Sequence, residues 1–311
     1  MSRLLNWLRT NFDGVLALTI AMVIGVIAVI DSMSNQNGFM DSNQDGFLDS
    51  GVINGAILLV LALLAATLLR DRRIATKAVN DATAVHLLYG PEIGHAHTVA
   101  RRDTGQWNFK GGTGTYLRAV TLRACVENAR REQRPLRMQI EILDPSNEAL
   151  CKTYAQFRSS LTPAADRTGE QWTTERTRKE AYATVLAACW YRQRFTFLTI
   201  DVGLSHVMTT FRWDLSTSCV IVTQDNPNTP ALMFERDRPY YRDFSRELVA
   251  SFKQAKQVPL SRSEDLPLAD EPTVDQTRRL FDAVGLGLPA TYTDRDVADI
   301  VRRALQPRNP Y

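Results

Sequence analysis

The chain has 311 residues, and its 37 lysines and arginines against 34 aspartates and glutamates leave a formal net charge of only +3. This length is enough for one large core, or for one domain with an appendage. The charge is far below that of a dedicated duplex-DNA binder, which it excludes. The four cysteines include no CxxC spacing, which argues against a zinc site and indicates reduced, buried thiols.

Two uncharged apolar runs, residues 14–30 and 52–69, dominate the N-terminal part of the chain. At about 1.5 Å per residue, each run would form a helix at the short end of what crosses a bilayer. Arginines precede the first run and follow the second, whereas the loop between them has four aspartates and no lysine or arginine. We therefore expect a two-span transmembrane hairpin with both termini in the cytoplasm. A cleaved signal peptide is the alternative, but the residues after the first run do not resemble a cleavage site.

Small residues recur at every fourth position in the first run, and Gly51 and Gly55 repeat that spacing in the second. Such a face lets another helix approach closely, either within one hairpin or between subunits. A pore would require several copies of the chain, so a homo-oligomer is expected. The residues predicted at a pore or helix interface are Thr19, Ala21, Gly25, Asn54 and Gly55.

The loop between the runs resembles the first nine positions of an EF-hand calcium loop. Asp41, Asn43, Asp45 and Asp49 take relative positions 1, 3, 5 and 9, with glycine at position 6. Position 12 is Val52 instead of the bidentate glutamate, so any Ca²⁺ affinity is expected to be weak. The other interpretation is an Asp/Asn/Gly turn that caps the second run.

The remainder of the chain alternates between helical and strand-like patterns. A helix is predicted to continue from residue 70 to about 88. A strand at 106–110, a glycine turn, a helix to about 133 and a strand at 137–143 then predict an α/β sheet. Further helices are predicted at 147–159, 173–192 and 240–256, and further strands at 195–202, 209–215, 218–222 and 231–234.

The acidic, proline-rich stretch 259–272 predicts a linker, and two short helices follow at 274–284 and 294–305. The predicted fold class is therefore a two-span transmembrane α-hairpin plus a cytosolic α/β domain with a mixed sheet and a small helical C-terminal extension. The predicted parts are the hairpin with its acidic loop (1–69), a membrane-proximal connector (70–100), the cytosolic ligand-binding domain (101–258) and the linker with its extension (259–311).

The candidate binding site is centred on the glycine turn at residues 111–115. Glycines let backbone N–H groups approach an anion, and the helix beginning near Thr115 directs its positive dipole end there. The spacing fits neither a P-loop nor GxGxxG, and a tight turn that needs positive φ is the alternative. Nearby cations would hold phosphates and aromatic rings would stack on bases, although surface or core roles remain open for each. The predicted ligand-binding residues are Trp107, Lys110, Gly111, Gly112, Thr113, Thr115, Tyr116, Arg118, Arg158 and Arg212.

Residues 107–118, the strand ending at 142–145 and the motif at 211–214 together resemble a phospholipase D-like module. In that family such modules bind phosphodiesters. The family's catalytic HxK pattern is absent at all four histidines, His86, His95, His97 and His206. Without the histidine nucleophile and its lysine, we expect a binding fold and not an enzyme.

The short hairpin, the connecting helix and the ligand-binding type of domain resemble the membrane effectors of bacterial antiphage defence, and among these the effector of the Hailong system. That resemblance implies a homo-oligomeric ion channel in the bacterial inner membrane. Its opening would be controlled by a nucleotide or single-stranded DNA oligomer made by a partner nucleotidyltransferase. The alternatives are a membrane-anchored phosphodiesterase or phospholipase-like enzyme, and a scaffold that meets the lipid bilayer without forming a channel.

Overall fold

The computed structural model describes residues 57, 61–62, 64–76, 85–161, 171–226 and 229–309. By its internal contacts the chain divides into two units, Met1–Thr83 and Ala84–Tyr311. In the first unit the described residues are helical, and the stretch 64–76 contains four consecutive charged residues at 70–73.

None of the helices formed by the described residues has the length and apolar character that crossing a membrane requires. This finding contradicts the predicted two-span hairpin, and with it the predicted fold class, the inner-membrane localisation and the assignment as a membrane ion channel. The physical reason visible in the described residues is that four consecutive charged residues, at 70–73, directly follow the apolar residues of the helix at 64–76, and a span requires roughly 20 apolar residues. The first apolar run and part of the second lie outside the described residues.

Other N-terminal predictions also lie outside the described residues. They are the pore or interface positions Thr19, Ala21, Gly25, Asn54 and Gly55, and the calcium ligands Asp41, Asn43, Asp45 and Asp49. Within the part of the chain that the structure describes, no group of three or more His, Cys, Asp or Glu side chains is placed to hold a metal ion.

The second unit is built on one mixed sheet of eight strands. The strands are β1 (His86–Leu88), β2 (Gln106–Lys110), β3 (Leu136–Leu143), β4 (Leu198–Ser205), β5 (Phe211–Leu215), β6 (Cys219–Gln224), β7 (Ala231–Glu235) and β8 (Lys256–Val258). Their order across the sheet is β1-β7-β6-β5-β2-β3-β4-β8. The strands β2, β3 and β4 pair in parallel, and every other neighbouring pair is antiparallel.

Seven α-helices are described in the second unit. They are α1 (Pro91–Arg102), α2 (Arg123–Arg131), α3 (Glu148–Leu161), α4 (Thr174–Arg194), α5 (Pro239–Gln254), α6 (Val274–Ala283) and α7 (Asp294–Leu305). A π-helical turn, Leu117–Leu122, leads directly into α2, and a 3₁₀ turn spans Leu260–Ser263. Short π-helical stretches of this kind often accompany functional sites.

The two faces of the sheet bury different kinds of side chain, because residues alternate across a strand. On one face Trp107 and Phe109 of β2 join the main core with residues of α2 and α4. On the other face Lys110 points toward α5, where its Nζ donates to Ser251 Oγ at 2.5 Å. The glycine turn directly follows Lys110, the last residue of β2.

The C-terminal helices belong to the main core. Thr273 and Thr293 form capping boxes that begin α6 and α7, and Phe281 and Ile300 are fully buried. These helices match the two predicted there to within a residue. The preceding stretch, predicted as a linker, packs on α4, because Gln193 Nε2 donates to the carbonyl of Ser263 at 2.7 Å.

Candidate functional site

A pocket that is partly open to solvent lies where β2 ends in the glycine turn. Its walls come from the end of β2, the glycine turn, α3, the residue before the N-cap of α4, β5 and the loop after β6. The residues that line it are Phe109, Gly112, Thr113, Gly114, Thr115, Tyr116, Tyr154, Arg158, Trp172, Arg212 and Asp225. We call this cavity the glycine-turn pocket. Six predicted ligand-binding residues meet there, namely Gly112, Thr113, Thr115, Tyr116, Arg158 and Arg212.

The glycines of the turn have structural reasons of their own. Gly114 has φ +74°, and a Cβ there would lie 3.0 Å from Thr184 Cγ2. A Cβ at Gly112 would collide with the hydroxyl of Tyr154. The helix that continues through the π-helical turn into α2 begins with a hydrogen bond from the Arg118 N–H to the Gly114 carbonyl at 2.9 Å. Since Thr115 lies within this first turn and lines the pocket, the positive end of the helix dipole borders the cavity.

On the α3 side, the pocket is organised around Asp225. Arg158 Nη1 lies 3.0 Å from Asp225 Oδ1, and the Tyr154 hydroxyl donates to Asp225 Oδ2 at 2.9 Å. The guanidinium carbon of Arg158 lies 4.7 Å from the ring centroid of Trp172. The Tyr154 ring meets the same indole edge-on, with centroids 5.9 Å apart. These contacts fix the guanidinium of Arg158 at the pocket wall.

On the β5 side, the pocket is organised around Asp214. Arg212 Nε donates to Asp214 Oδ2 at 2.9 Å, and its guanidinium carbon lies 4.6 Å from the Tyr116 ring centroid. Trp107 Nε1 donates to Asp214 Oδ1 at 3.1 Å, and His97 Nε2 lies 3.2 Å from Oδ2. Burial raises the pKa of Asp214, but the charge of Arg212 and the contacts with His97 and Trp107 outweigh burial, so the pKa lies below its ordinary value. Asp214 is therefore ionised at neutral pH and holds Arg212 in place.

Arg118 lies outside the glycine-turn pocket, in a buried cluster centred on Glu180. Its guanidinium forms an ion pair with Glu180 and donates to Thr184 Oγ1 at 2.6 Å and to the Arg303 carbonyl at 2.8 Å. Burial lowers the pKa of Arg118, and the charge of Glu180 offsets only part of that effect. Through these hydrogen bonds Arg118 holds the first turn of the helix that leads into α2 against α4 and α7.

Three other predicted residues also lie away from the pocket. Trp107 is fully buried in the main core. Lys110 faces α5, where Glu141 Oε1 lies 3.6 Å from its Nζ. Gly111 adjoins the pocket without lining it, since a Cβ there would lie 3.2 Å from Arg212 Cγ.

The structure adds residues to the site that sequence reasoning missed. Tyr154, Trp172 and Asp225 form one wall, and His97 and Asp214 hold Arg212 from behind. No local motif links Trp172 or Asp225 to the glycine turn, so only the folded chain shows their proximity. Gly114 also lines the pocket and was not predicted, although its place in the glycine turn could have indicated it. The expectation that the chain is not an enzyme stays a prediction.

The sequence matches no protein-family model and no curated protein. Among solved structures, similarity is found to TrmBL2, described as an archaeal chromatin protein with a novel mode of DNA binding. The similarity has a TM-score of 0.33 and 7% sequence identity, and it covers 65% of this chain and 71% of that one. A likeness of this strength carries no argument about fold or function.

Proposed function

We propose that the glycine-turn pocket binds a phosphate group of a nucleotide or of a short single-stranded DNA oligomer, and that this chain is a ligand-binding protein. One observation carries the proposal. Arg158 and Arg212, which lie far apart in the sequence, meet the first turn of a helix in one pocket. Guanidinium groups and helix N-termini are the two protein features that most often receive phosphate oxygens.

An aromatic side chain of the pocket suits the rest of such a ligand. Tyr116 lines the cavity and is partly exposed, and the guanidinium carbon of Arg212 lies 4.6 Å from its ring centroid. Stacking of a base on an aromatic side chain contributes about 1–3 kcal/mol and tolerates any base. We therefore expect little dependence of affinity on base identity.

The carboxylates limit how strongly the pocket attracts an anion. Asp225 pairs with Arg158 and Asp214 pairs with Arg212, so positive and negative groups are balanced among the described residues of this pocket. Binding there depends on directional hydrogen bonds more than on excess charge. A single phosphate is expected to bind weakly and with a shallow dependence on salt.

The test is a titration with thymidine 5′-monophosphate and with a fluorescent single-stranded hexathymidylate. We expect Arg212→Gln to weaken both by about tenfold or more, because it removes a hydrogen bond to a charged group. Arg212→Lys keeps the charge that balances Asp214 and is expected to lose less. The matched control is Arg246→Gln on α5, which removes the same charge from an arginine side chain that is 74% exposed.

Thermal melting of each variant separates loss of binding from loss of fold. If Arg212→Gln and Arg246→Gln have the same affinity for both ligands in folded protein, Arg212 does not belong to a phosphate site. If the wild-type chain binds neither ligand at millimolar concentration, the proposal fails.

A further inference from the structure

A second cavity adjoins the glycine-turn pocket. Thr115 lines both cavities, and Arg176, which lines the second, lies against Trp172, which lines the first. We call the second cavity the arginine pocket, because five guanidinium groups line it. They belong to Arg118, Arg176, Arg302, Arg303 and Arg308.

The charge balance differs between the two pockets. Among the described residues that line the arginine pocket, Glu180 carries the one carboxylate. Asp299, on the next turn of α7, adds a second by pairing with Arg302 and Arg303. Ion pairs in the described part of the chain join Arg118 and Arg303 to Glu180 and Arg302 to Asp299, whereas none involves Arg308. The glycine-turn pocket has no such arginine, and an arginine without a carboxylate favours an anion that brings its own negative charge.

Trp172 joins the two pockets. Its ring centroid lies 4.7 Å from the guanidinium carbon of Arg158 and 4.3 Å from that of Arg176. The residue is 8% exposed, and its buried indole Nε1 has no hydrogen-bond partner in the part of the chain that the structure describes. The guanidinium of Arg158, the indole ring of Trp172 and the guanidinium of Arg176 thus form a row from the glycine-turn pocket to the arginine pocket. Protein surfaces that bind a phosphate backbone also combine cations with aromatic rings.

Two arginines of the second cavity suit ligand contact better than the rest. Arg118 and Arg303 are tied to Glu180 inside the fold. Arg308 is exposed beyond the end of α7, and the Arg302 side chain is 44% exposed while it pairs with Asp299. Because an exposed ion pair contributes little to stability, Arg302 can turn from Asp299 to a phosphate at small cost.

We propose that the arginine pocket is a second phosphate subsite, so that the ligand of this chain carries at least two phosphate groups, one for each pocket. This inference rests on the function proposed for the glycine-turn pocket. A mononucleotide monophosphate would occupy one pocket, whereas a linear ligand with two phosphates would span Trp172 and use both.

The experiment compares thymidine 5′-monophosphate with a 5′-phosphorylated thymidine dinucleotide, which carries two phosphates. We expect the wild-type chain to bind the dinucleotide about tenfold more tightly, with a logarithmic salt slope steeper by about one. The double variant Arg302→Gln/Arg308→Gln is expected to lower dinucleotide affinity to the level of the monophosphate.

The matched control is Arg242→Gln/Arg246→Gln, which removes two exposed charges from α5 on the opposite side of the sheet. Arg308→Gln alone provides a second variant, since it lies outside every helix. Equal affinity for both ligands, with no effect of Arg302→Gln/Arg308→Gln, would overturn the second subsite and leave the first pocket intact. Absence of binding by either ligand would overturn both.

Discussion

The glycine-turn pocket and the Arg118 cluster meet at Thr115, yet they use arginine in opposite ways. In the pocket, Arg158 and Arg212 are held from behind by Asp225 and Asp214 while they border a cavity. In the cluster, the Arg118 guanidinium is enclosed by protein acceptors on α4 and α7. Under the function that we propose, the same side chain serves a ligand in one region, whereas it serves the fold in the other.

The difference lies in what completes the hydrogen bonding of each guanidinium. Arg118 donates to two carbonyls, a hydroxyl and a carboxylate, so a phosphate there would have to displace structural partners. A buried guanidinium that loses such partners is costly. Proximity to a glycine turn in the sequence is therefore a poor guide to which arginine borders the glycine-turn pocket.

The largest effect on stability is expected from Arg118→Met. Loss of the guanidinium removes one of the two arginines that pair with the buried Glu180, together with the hydrogen bonds to Thr184 and to two carbonyls, so unfolding free energy should fall by about 3 kcal/mol. Urea denaturation followed by circular dichroism measures it. The control is Arg123→Met, whose ion pair with Glu127 joins side chains that are 70% and 60% exposed. That control should lose less than about 0.5 kcal/mol.

Equal stability of these two variants would remove the structural role assigned to Arg118. Where Arg118→Met still folds, its affinity for thymidine 5′-monophosphate should match that of the wild type. A large loss of affinity in folded Arg118→Met would instead place the residue in the binding site.

Local patterns in the sequence predicted the elements around the site well. The strand at 106–110 has the predicted bounds, and α7 covers the predicted residues 294–305. Alternating burial and threonine capping boxes act over a few residues, so they can be recognised without the fold. Of the six predicted residues that do meet in the pocket, four lie in the short stretch 112–116.

Long-range partners and the role of the apolar runs could not be obtained this way. Asp214 and His97 are 117 residues apart in the sequence, and Arg158 and Asp225 are 67 apart. Nothing in local spacing brings such pairs together, because sheet order decides which loops adjoin. The hydropathy of the N-terminal runs predicted two spans, and the helices formed by the described residues contradict that prediction.

A smaller effect is expected from Gly114→Ala in the turn that forms the pocket. Alanine at φ +74° is strained, and its Cβ would also press on Thr184, so we expect a loss of about 2 kcal/mol. The matched variant is Gly285→Ala, where φ is +68° and no atom lies within 4 Å of the added Cβ. That change should cost about 1 kcal/mol from backbone strain alone.

Thermal denaturation of the two alanine variants separates strain from contact. If both lose the same stability, the approach of Thr184 to the turn has no energetic weight. A Gly114→Ala protein that folds but binds thymidine 5′-monophosphate more weakly would link the turn's geometry to the site as well.

The smallest effect on stability is expected from Asp299→Asn, which alters the competition for arginine in the second pocket. Burial raises the pKa of Asp299, but the hydrogen bond and charge of Arg303, followed by those of Arg302, outweigh burial and lower it. A carboxyl whose folded pKa is depressed adds stability above its unfolded pKa of about 3.9, and that stability disappears as pH falls through the folded value. The unfolding free energy of the wild type should exceed that of Asp299→Asn by less than about 1 kcal/mol at pH 7, and the two should converge as pH falls through the folded pKa of Asp299.

The same substitution is expected to strengthen ligand binding, because it removes the carboxylate that competes with a phosphate for Arg302. Affinity for the 5′-phosphorylated thymidine dinucleotide should rise by about threefold at pH 7. Calorimetric titration at one salt concentration measures it. Unchanged dinucleotide affinity in a stable Asp299→Asn protein would mean that Arg302 stays with the fold, as Arg118 and Arg303 do. The structural use of arginine would then extend to three of the arginines that line the arginine pocket.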